Sequence, residues 1–256
     1  MMTHISIQSL SSYLDDVLNH STVPDYDQAY NGLQVESLQP LKKIVSAVDA
    51  SLPVIKKAIN TNADMLLVHH GLFWQNIAPL TGVNYQKIKL TIDNNLAVYS
   101  SHIPLDIHPI WGNNSVLAQQ LGLNIQSAEP FFDFKGVELG LKFQVSMQRQ
   151  ELNEQLIALL GERSHYCPGG PEHIETLGII TGGAGSEVAQ VAKAGIDTFI
   201  TGEGPHWSYP LAEELGINLF YGGHYATETF GVQALGQHIQ DQFKLDYEFI
   251  DHPSGL

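Results

Sequence analysis

KKIVSAVDASLPVIKKAINTNADMLLVHHG, residues 42–71, is the stretch whose reading decides the fold. It opens with an apolar run ending at Asp49, turns, follows a helical pattern, and returns to a second apolar run, Met65 to Val68, that ends in His69-His70-Gly71. Both runs are continuously apolar rather than alternating. That is the pattern of parallel strands buried on both faces, and the helical stretch between them is the crossover such strands require. A second stretch, ETLGIITGGAGSEVAQVAKAGIDTFITGEG, residues 175–204, repeats the arrangement. In each copy an Asp opens the second strand and a motif follows: Asp64 precedes His69, His70 and Gly71, and Asp197 precedes Gly202, Glu203 and Gly204. The correspondence extends to NLAVYSSHIPLD, residues 95–106, and NLFYGGHYATE, residues 218–228, aligned with a one-residue slip. Each reads as an Asn-Leu strand, two small residues, and a His followed four residues on by a carboxylate: His102 with Asp106, and His224 with Glu228.

An internal repeat of this kind predicts an α/β protein of two similar α/β/α halves, with mainly parallel central sheets and a metal cleft between them. The expected boundaries are 1–128 for the first half and 129–224 for the second, the junction falling near SAEPFF. Residues 225–256 form a C-terminal helix and strand that pack back on the first half. The opening IQSLSSYLDDVLNH is read as an amphipathic helix starting after Ser9, Val137 to Val145 as an alternating strand, and the segment from about Gln150 as a helix.

Composition narrows the function. The chain has 256 residues, 43% of them hydrophobic, with 12 Lys and Arg against 27 Asp and Glu, a net charge of −15. That balance argues against nucleic acid as a partner, because wrapping a phosphate backbone needs a basic face. It is compatible with bound cations. No run is long and apolar enough for a membrane span, and no leader pattern is present. The single cysteine, Cys167, excludes a disulfide framework, so a reducing cytoplasm is the expected compartment.

In open α/β sheets the ligand lies beyond the carboxyl ends of the parallel strands, which is where every motif above falls. Twelve histidines are present, and a lone histidine is ordinarily a surface or hydrogen-bonded core residue. His4, His20, His238 and His252 are read that way, as are His108, His165, His173 and His206 in loop-like contexts. His69, His70, Asp106, His224 and Glu228 are the candidate metal ligands. Nitrogen and oxygen donors without a thiolate suit zinc, manganese, iron or nickel. The set is too large for one open tetrahedral site and about right for two divalent ions roughly 3.5–4 Å apart sharing a carboxylate. His224 and Glu228 share a face if their segment enters a helix. TGGAGSE lacks the ending of a P-loop and is read as a tight strand-to-helix turn. Cys167, in SHYCPGGPE, is read as a bystander in a mobile loop rather than a nucleophile.

YNGLQVE, LLVHHG, SHIPLD and GGHYATETFGVQAL, in that order from Asn31 to Leu235, resemble the GTP cyclohydrolase 1 type 2 homologue family, also called the NIF-three-like family of dinuclear metal-centre proteins. The resemblance implies two similar α/β/α domains, a ring-shaped homohexamer and a two-metal site. It also implies that His70 and Asp106 hold one ion, that His69 and His224 hold the other, and that Glu228 bridges them. Family members often have Thr and Asn between the equivalents of His102 and Asp106, where this chain has Ile103-Pro104-Leu105.

Two functions of different class are compatible with these residues. One is a metal-dependent hydrolase acting on a nucleotide or another phosphorylated small molecule, GTP ring opening being the activity proposed for the family. Glu203 and His102 are then the candidate general acid and base. The other is a non-catalytic metal-binding or interaction ring, such as a metal chaperone or store.

Overall fold

The computed structural model describes residues 5–73, 79–161 and 164–256, and His4 lies outside them. The chain forms two compact units, residues 1–105 with 231–252 and residues 106–230 with 253–256.

The first unit contains α1 (Ile7–Val17), β1 (Gly32–Val35), β2 (Lys43–Asp49), α2 (Leu52–Asn60), β3 (Met65–His70), α3 (Gly82–Asp93) and β4 (Ala97–Ser100). The short helix α4 (Ile103–Asp106) contains the break, its first three residues belonging to the first unit and Asp106 to the second. The second unit contains α5 (Asn113–Gln120), β5 (Glu129–Phe134), β6 (Val137–Gln148), α6 (Arg149–Leu160), β7 (His165–Pro168), β8 (His173–Ile179), α7 (Val188–Lys193), β9 (Thr198–Thr201), α8 (Ser208–Leu215) and β10 (Asn218–Tyr221). The long helix α9 (His224–Phe243) begins in the second unit and continues into residues assigned to the first, followed by β11 (Asp246–Phe249).

The first sheet has the order β1-β4-β3-β2-β11, parallel except for the β1–β4 pair. The second has the order β5-β6-β8-β9-β10-β7, and only β8–β9 and β9–β10 are parallel. The expectation of mainly parallel sheets therefore holds for the first unit and is corrected for the second, where β5, β6 and β7 pair antiparallel. The expected division at residue 128 is likewise moved. SAEPFF runs into β5, a ladder strand of the second sheet, and α5 packs against β6, so the break falls at Leu105/Asp106. Cys167, expected in a mobile loop, is a buried residue of β7, where Leu219 is its ladder partner. Helix α1 begins earlier than expected, capped by Ser6, whose Oγ accepts the Ser9 N–H at 3.1 Å.

The repeat is physical. In each unit three parallel strands alternate with helices, β2-α2-β3-α3-β4 and β8-α7-β9-α8-β10. The two aspartates do the same work in both. Asp64 Oδ2 accepts the backbone N–H groups of Lys42 and Lys43 at 2.7 and 2.8 Å, and Asp197 Oδ2 accepts those of Glu175 and Thr176 at 2.9 Å each. Each carboxylate thus ties the start of one strand to the parallel strand that precedes it. The helices stop at left-handed residues, which are Asn in one copy and Gly in the other: Asn62 (φ 57°) and Gly195 (φ 72°), then Asn95 (φ 50°) and Gly216 (φ 71°). This register corrects one alignment. The N–H of Ala97 bonds to Asp64 O as that of Asn218 bonds to Asp197 O, so Asn218 corresponds to Ala97, and Asn95 to Gly216.

β3 is the most deeply buried element of the first unit. Met65, Leu66, Leu67 and Val68 are all inaccessible to solvent, packed in part by Val45, Ala47, Val54, Ile55 and Val98. Burial of each such side chain contributes about 1.5–3 kcal/mol, which fixes the strand that ends in His69 and His70. In the second unit Phe143, Leu177, Ile179, Ile200 and Phe220 form one core cluster, and Cys167, Val191, Phe199 and Leu219 belong to another.

Candidate metal centre

In the first unit His69, His70 and His102 lie together, each offering a ring nitrogen within 4.8 Å of the other two. His69 and His70 are successive residues at the end of β3, yet their ring centroids are 4.8 Å apart, and His102 lies 4.9 and 5.7 Å from them. Each ring is held by its Nδ1. His69 Nδ1 donates to the carbonyl of Ser101 at 3.0 Å, His70 Nδ1 to Asp49 Oδ1 at 2.9 Å, and His102 Nδ1 to Asp25 Oδ1 at 2.8 Å. A carbonyl or carboxylate oxygen only accepts, so the proton sits on Nδ1 and, in the neutral ring, the lone pair on Nε2.

Three of the sequence motifs build this cluster: LLVHHG and SHIPLD supply the rings, and YNGLQVE holds them. Asn31 of YNGLQVE accepts the His102 N–H at 2.7 Å and donates to Asp25 Oδ2 at 2.8 Å. Asp25 also accepts the N–H groups of Tyr26 and Ile103. Burial would raise the Asp25 carboxyl, but its bonds from His102, Asn31 and Tyr26 outweigh that and leave it below the usual carboxylate range. Gln34 of the same motif accepts the Leu72 N–H at 2.6 Å. Its amide lies where a Cβ on Gly71 would fall, so any other residue at this glycine of HHG would displace Gln34 from the Leu72 N–H. Behind His69, Ser101 Oγ meets His20 Nε2 at 3.0 Å, and His20 Nδ1 meets Asp15 at 3.0 Å. His20 is thus a hydrogen-bonded core histidine, as expected, and it backs the cluster.

In the second unit α9 begins at His224, which places Glu228 one turn on. His224 Nδ1 meets Glu203 Oε1 at 2.8 Å, and His224 Nε2 meets Glu228 Oε1 at 3.1 Å. Glu228 is only 3% exposed. Gly182 (φ 70°) gives the carboxylate its room, because a Cβ there would collide with Glu228 Oε1. TGGAGSE is a tight strand-to-helix turn in which Gly182 and Gly183 face His224 and Glu228, while Gly185 packs on Gly204. Asp106 Oδ1 accepts the Asn113 amide at 2.8 Å. The turn between them is ordered by His108, whose Nδ1 accepts the N–H groups of Ile110 and Trp111 and whose ring stacks on Trp111 at 4.3 Å.

Burial works to lower the His224 pKa, but Glu228 and then Glu203 more than offset it and raise the imidazole from 6.5 to about 9. Without metal, a proton thus carries the positive charge that the two carboxylates favour. A pKa raised on folding gives stability that is complete below 6.5 and is lost as pH rises through about 9. A divalent ion at Nε2 would compete with that proton, so its affinity would rise over the same window. In chelator-treated protein the His224 ring resonance should titrate with a midpoint near 9. A midpoint at or below 6.5 contradicts the geometry.

The donor set fits a metal ion. Four histidines have Nδ1 on an oxygen acceptor, the orientation that outer partners impose on metal-ligating imidazoles; Nε2 is the basic nitrogen in His69, His70 and His102, and in His224 it faces Glu228. Sequence reasoning found the four rings but missed three of the acceptors. Asp25 lies in a loop without periodicity, Ser101 acts through its backbone, and Asp49 was legible only as a strand end. In the register of the repeat, Asp49, His69 and His70 correspond to Gly182, Gly202 and Glu203. The copies share a scaffold and differ in the side chains they carry.

The profile of the Duf34/NIF3 family (NGG1p interacting factor 3) matches residues 5–254. The chain belongs to this family. A relative from Deinococcus radiodurans, named GTP cyclohydrolase 1 type 2 homolog, is 35% identical over 98% of this chain and 95% of its own length. One of the same name from Pyrococcus horikoshii is 38% identical over 96% and 97%. Among solved structures of this fold, one from Thermus thermophilus superposes with a TM-score of 0.89 at 37% identity, covering 98% of this chain and 100% of that one. The His and Glu clusters described above could hold a metal ion. Among the described residues, no helix is long and apolar enough to cross a membrane.

Proposed function

We propose that this member of the family is a metal-dependent hydrolase acting on a nucleotide or another phosphorylated small molecule. His70 with Asp106 and His69 with His224 would hold two divalent ions, and Glu228 would serve both. The observation that supports this most is the shared arrangement of the histidines, each with Nδ1 on an oxygen, which leaves Nε2 of His69, His70 and His102 basic and sets that of His224 against Glu228. Bound, such a pair of ions supplies Lewis acidity and lowers the pKa of water toward neutrality.

The chain's own residues supply proton transfer and orientation. His102, 7% exposed, forms a dyad with Asp25. Its Nε2 takes a proton from the attacking water, and the Asp25 carboxylate, held ionised by its other bonds, stabilises the imidazolium that forms. Glu203, with one oxygen on His224 Nδ1, acts as a positioning residue for that ring rather than as the acid. A ring of six chains belongs to the same reading and is checked by the mass of the particle in solution.

The name of the relatives makes GTP the first substrate to test. Chelator-stripped protein reloaded with zinc, manganese, iron or nickel is given GTP and a panel of nucleotides and phosphoesters, with products read by mass spectrometry. Turnover that requires metal and is lost in His102→Asn supports the proposal. No turnover of any panel member with two ions bound would overturn it in favour of a metal-binding protein without catalysis.

A further inference from the structure

Beside the Glu203–His224 pair the second unit holds a cavity of about 1130 Å³, large enough for a nucleotide-sized ligand. Glu203 lines it, and beyond the oxygen committed to His224 its carboxylate has further acceptor capacity. The rest of the lining is rich in aromatic rings: Tyr209, Tyr221, Tyr225, His165 and His206. His165 stands exposed on β7 and stacks on Tyr221 with centroids 4.9 Å apart. Tyr221 is anchored by its hydroxyl to Ser208 Oγ at 2.7 Å. One wall is residues 253–256, tied to α9 by the Tyr225 N–H donating to Leu256 O at 3.1 Å. Fixed aromatic rings beside a carboxylate acceptor match a flat ring that carries N–H donors. They are a poor match for phosphate, which the Glu203 charge opposes.

We infer that this cavity binds a planar, N–H-bearing aromatic heterocycle, the base of a nucleotide-like substrate. The inference deepens the hydrolase reading and rests on its substrate class. Tyr209 and His165 give stacking surfaces, Glu203 accepts from the ring N–H groups, and the phosphates lie outside the cavity. Glu203 then serves both ends of the chemistry, because the carboxylate that orients His224 also registers the base.

The test is calorimetric titration of guanosine, which has no phosphate, into the full chain stripped of metal. Binding is expected without metal, uncontested by inorganic triphosphate, and weakened about tenfold or more by Tyr209→Ala. His165→Ala, at an exposed position that folding tolerates, and Glu203→Gln should weaken it as well. Absence of guanosine binding, or equal binding by Tyr209→Ala and His165→Ala, overturns the inference. The two readings fail separately. Nucleotide turnover with unchanged KM in both variants removes the base site and leaves the hydrolase, whereas guanosine binding that these variants weaken, without turnover of any nucleotide, leaves the base site and removes the hydrolase.

Discussion

Glu228→Gln should strip both ions from the protein, whereas His69→Ala should weaken one. Glu228 is the proposed bridge, its carboxylate is almost wholly buried, and it meets His224 Nε2 at 3.1 Å. The amide keeps the shape and removes the charge. The loss in affinity should exceed the roughly 10- to 100-fold that follows loss of an outer partner. Glu203→Gln, which removes such a partner from His224 Nδ1, falls within that smaller range. The same substitution at Glu228 should lower the His224 pKa in metal-free protein, because Glu228 is the strongest of the groups raising it. Metal analysis of the variants after dialysis reads the first effect and ring titration the second. Two ions retained in Glu228→Gln would remove it as the bridge.

Asp25→Ala should have the largest effect on the stability of the first unit. The Asp25 side chain is 6% exposed and takes hydrogen bonds from His102, Asn31, Tyr26 and Ile103. Leaving buried donors without their acceptor typically costs about 1–3 kcal/mol for each group that stays unsatisfied. The sign with pH follows from its lowered pKa. A carboxylate depressed on folding stabilises above its unfolded value, about 3.9, and that stability is lost as pH falls through the folded value. The gap between native and variant protein should therefore be full at neutral pH and close in acid. Hydrogen exchange of the β3 and β4 amides measures it within the unit. A gap under about 1 kcal/mol at pH 7 would mean that the bonds of Asp25 contribute little net stability.

Much of this architecture is legible in the chain because its signals are local. The apolar runs before Asp49 and after Asp64, repeated around Asp197, identify the parallel strands. The four-residue spacing of His224 and Glu228 anticipates the first turn of α9. What was not legible depends on partners distant in sequence. β7 is four residues long, and only pairing with β10 reveals that Cys167 is buried. The Asn95–Asn218 match was plausible by identity but wrong by register, which the ladder bonds of Ala97 and Asn218 decide. Asp25 carries no pattern at all and acquires its role only when the chain brings it to His102 across 77 residues.

The adjacent histidines that end β3 gain a physical reading from this. Both rings are held from behind by their Nδ1, one by a carbonyl and one by a carboxylate, so the two basic nitrogens are set independently. Independent setting is what two ligands of two different ions require. The corresponding residues of the other copy, Gly202 and Glu203, supply close packing and an outer partner instead.

The central claim is a pair of ions, and the most direct measurement is elemental analysis of the purified, undialysed chain, with protein concentration fixed by amino-acid analysis. Two divalent transition ions per chain is the result this account predicts. A stoichiometry of one, or a protein that remains metal-free after incubation with zinc, manganese, iron and nickel, would contradict it.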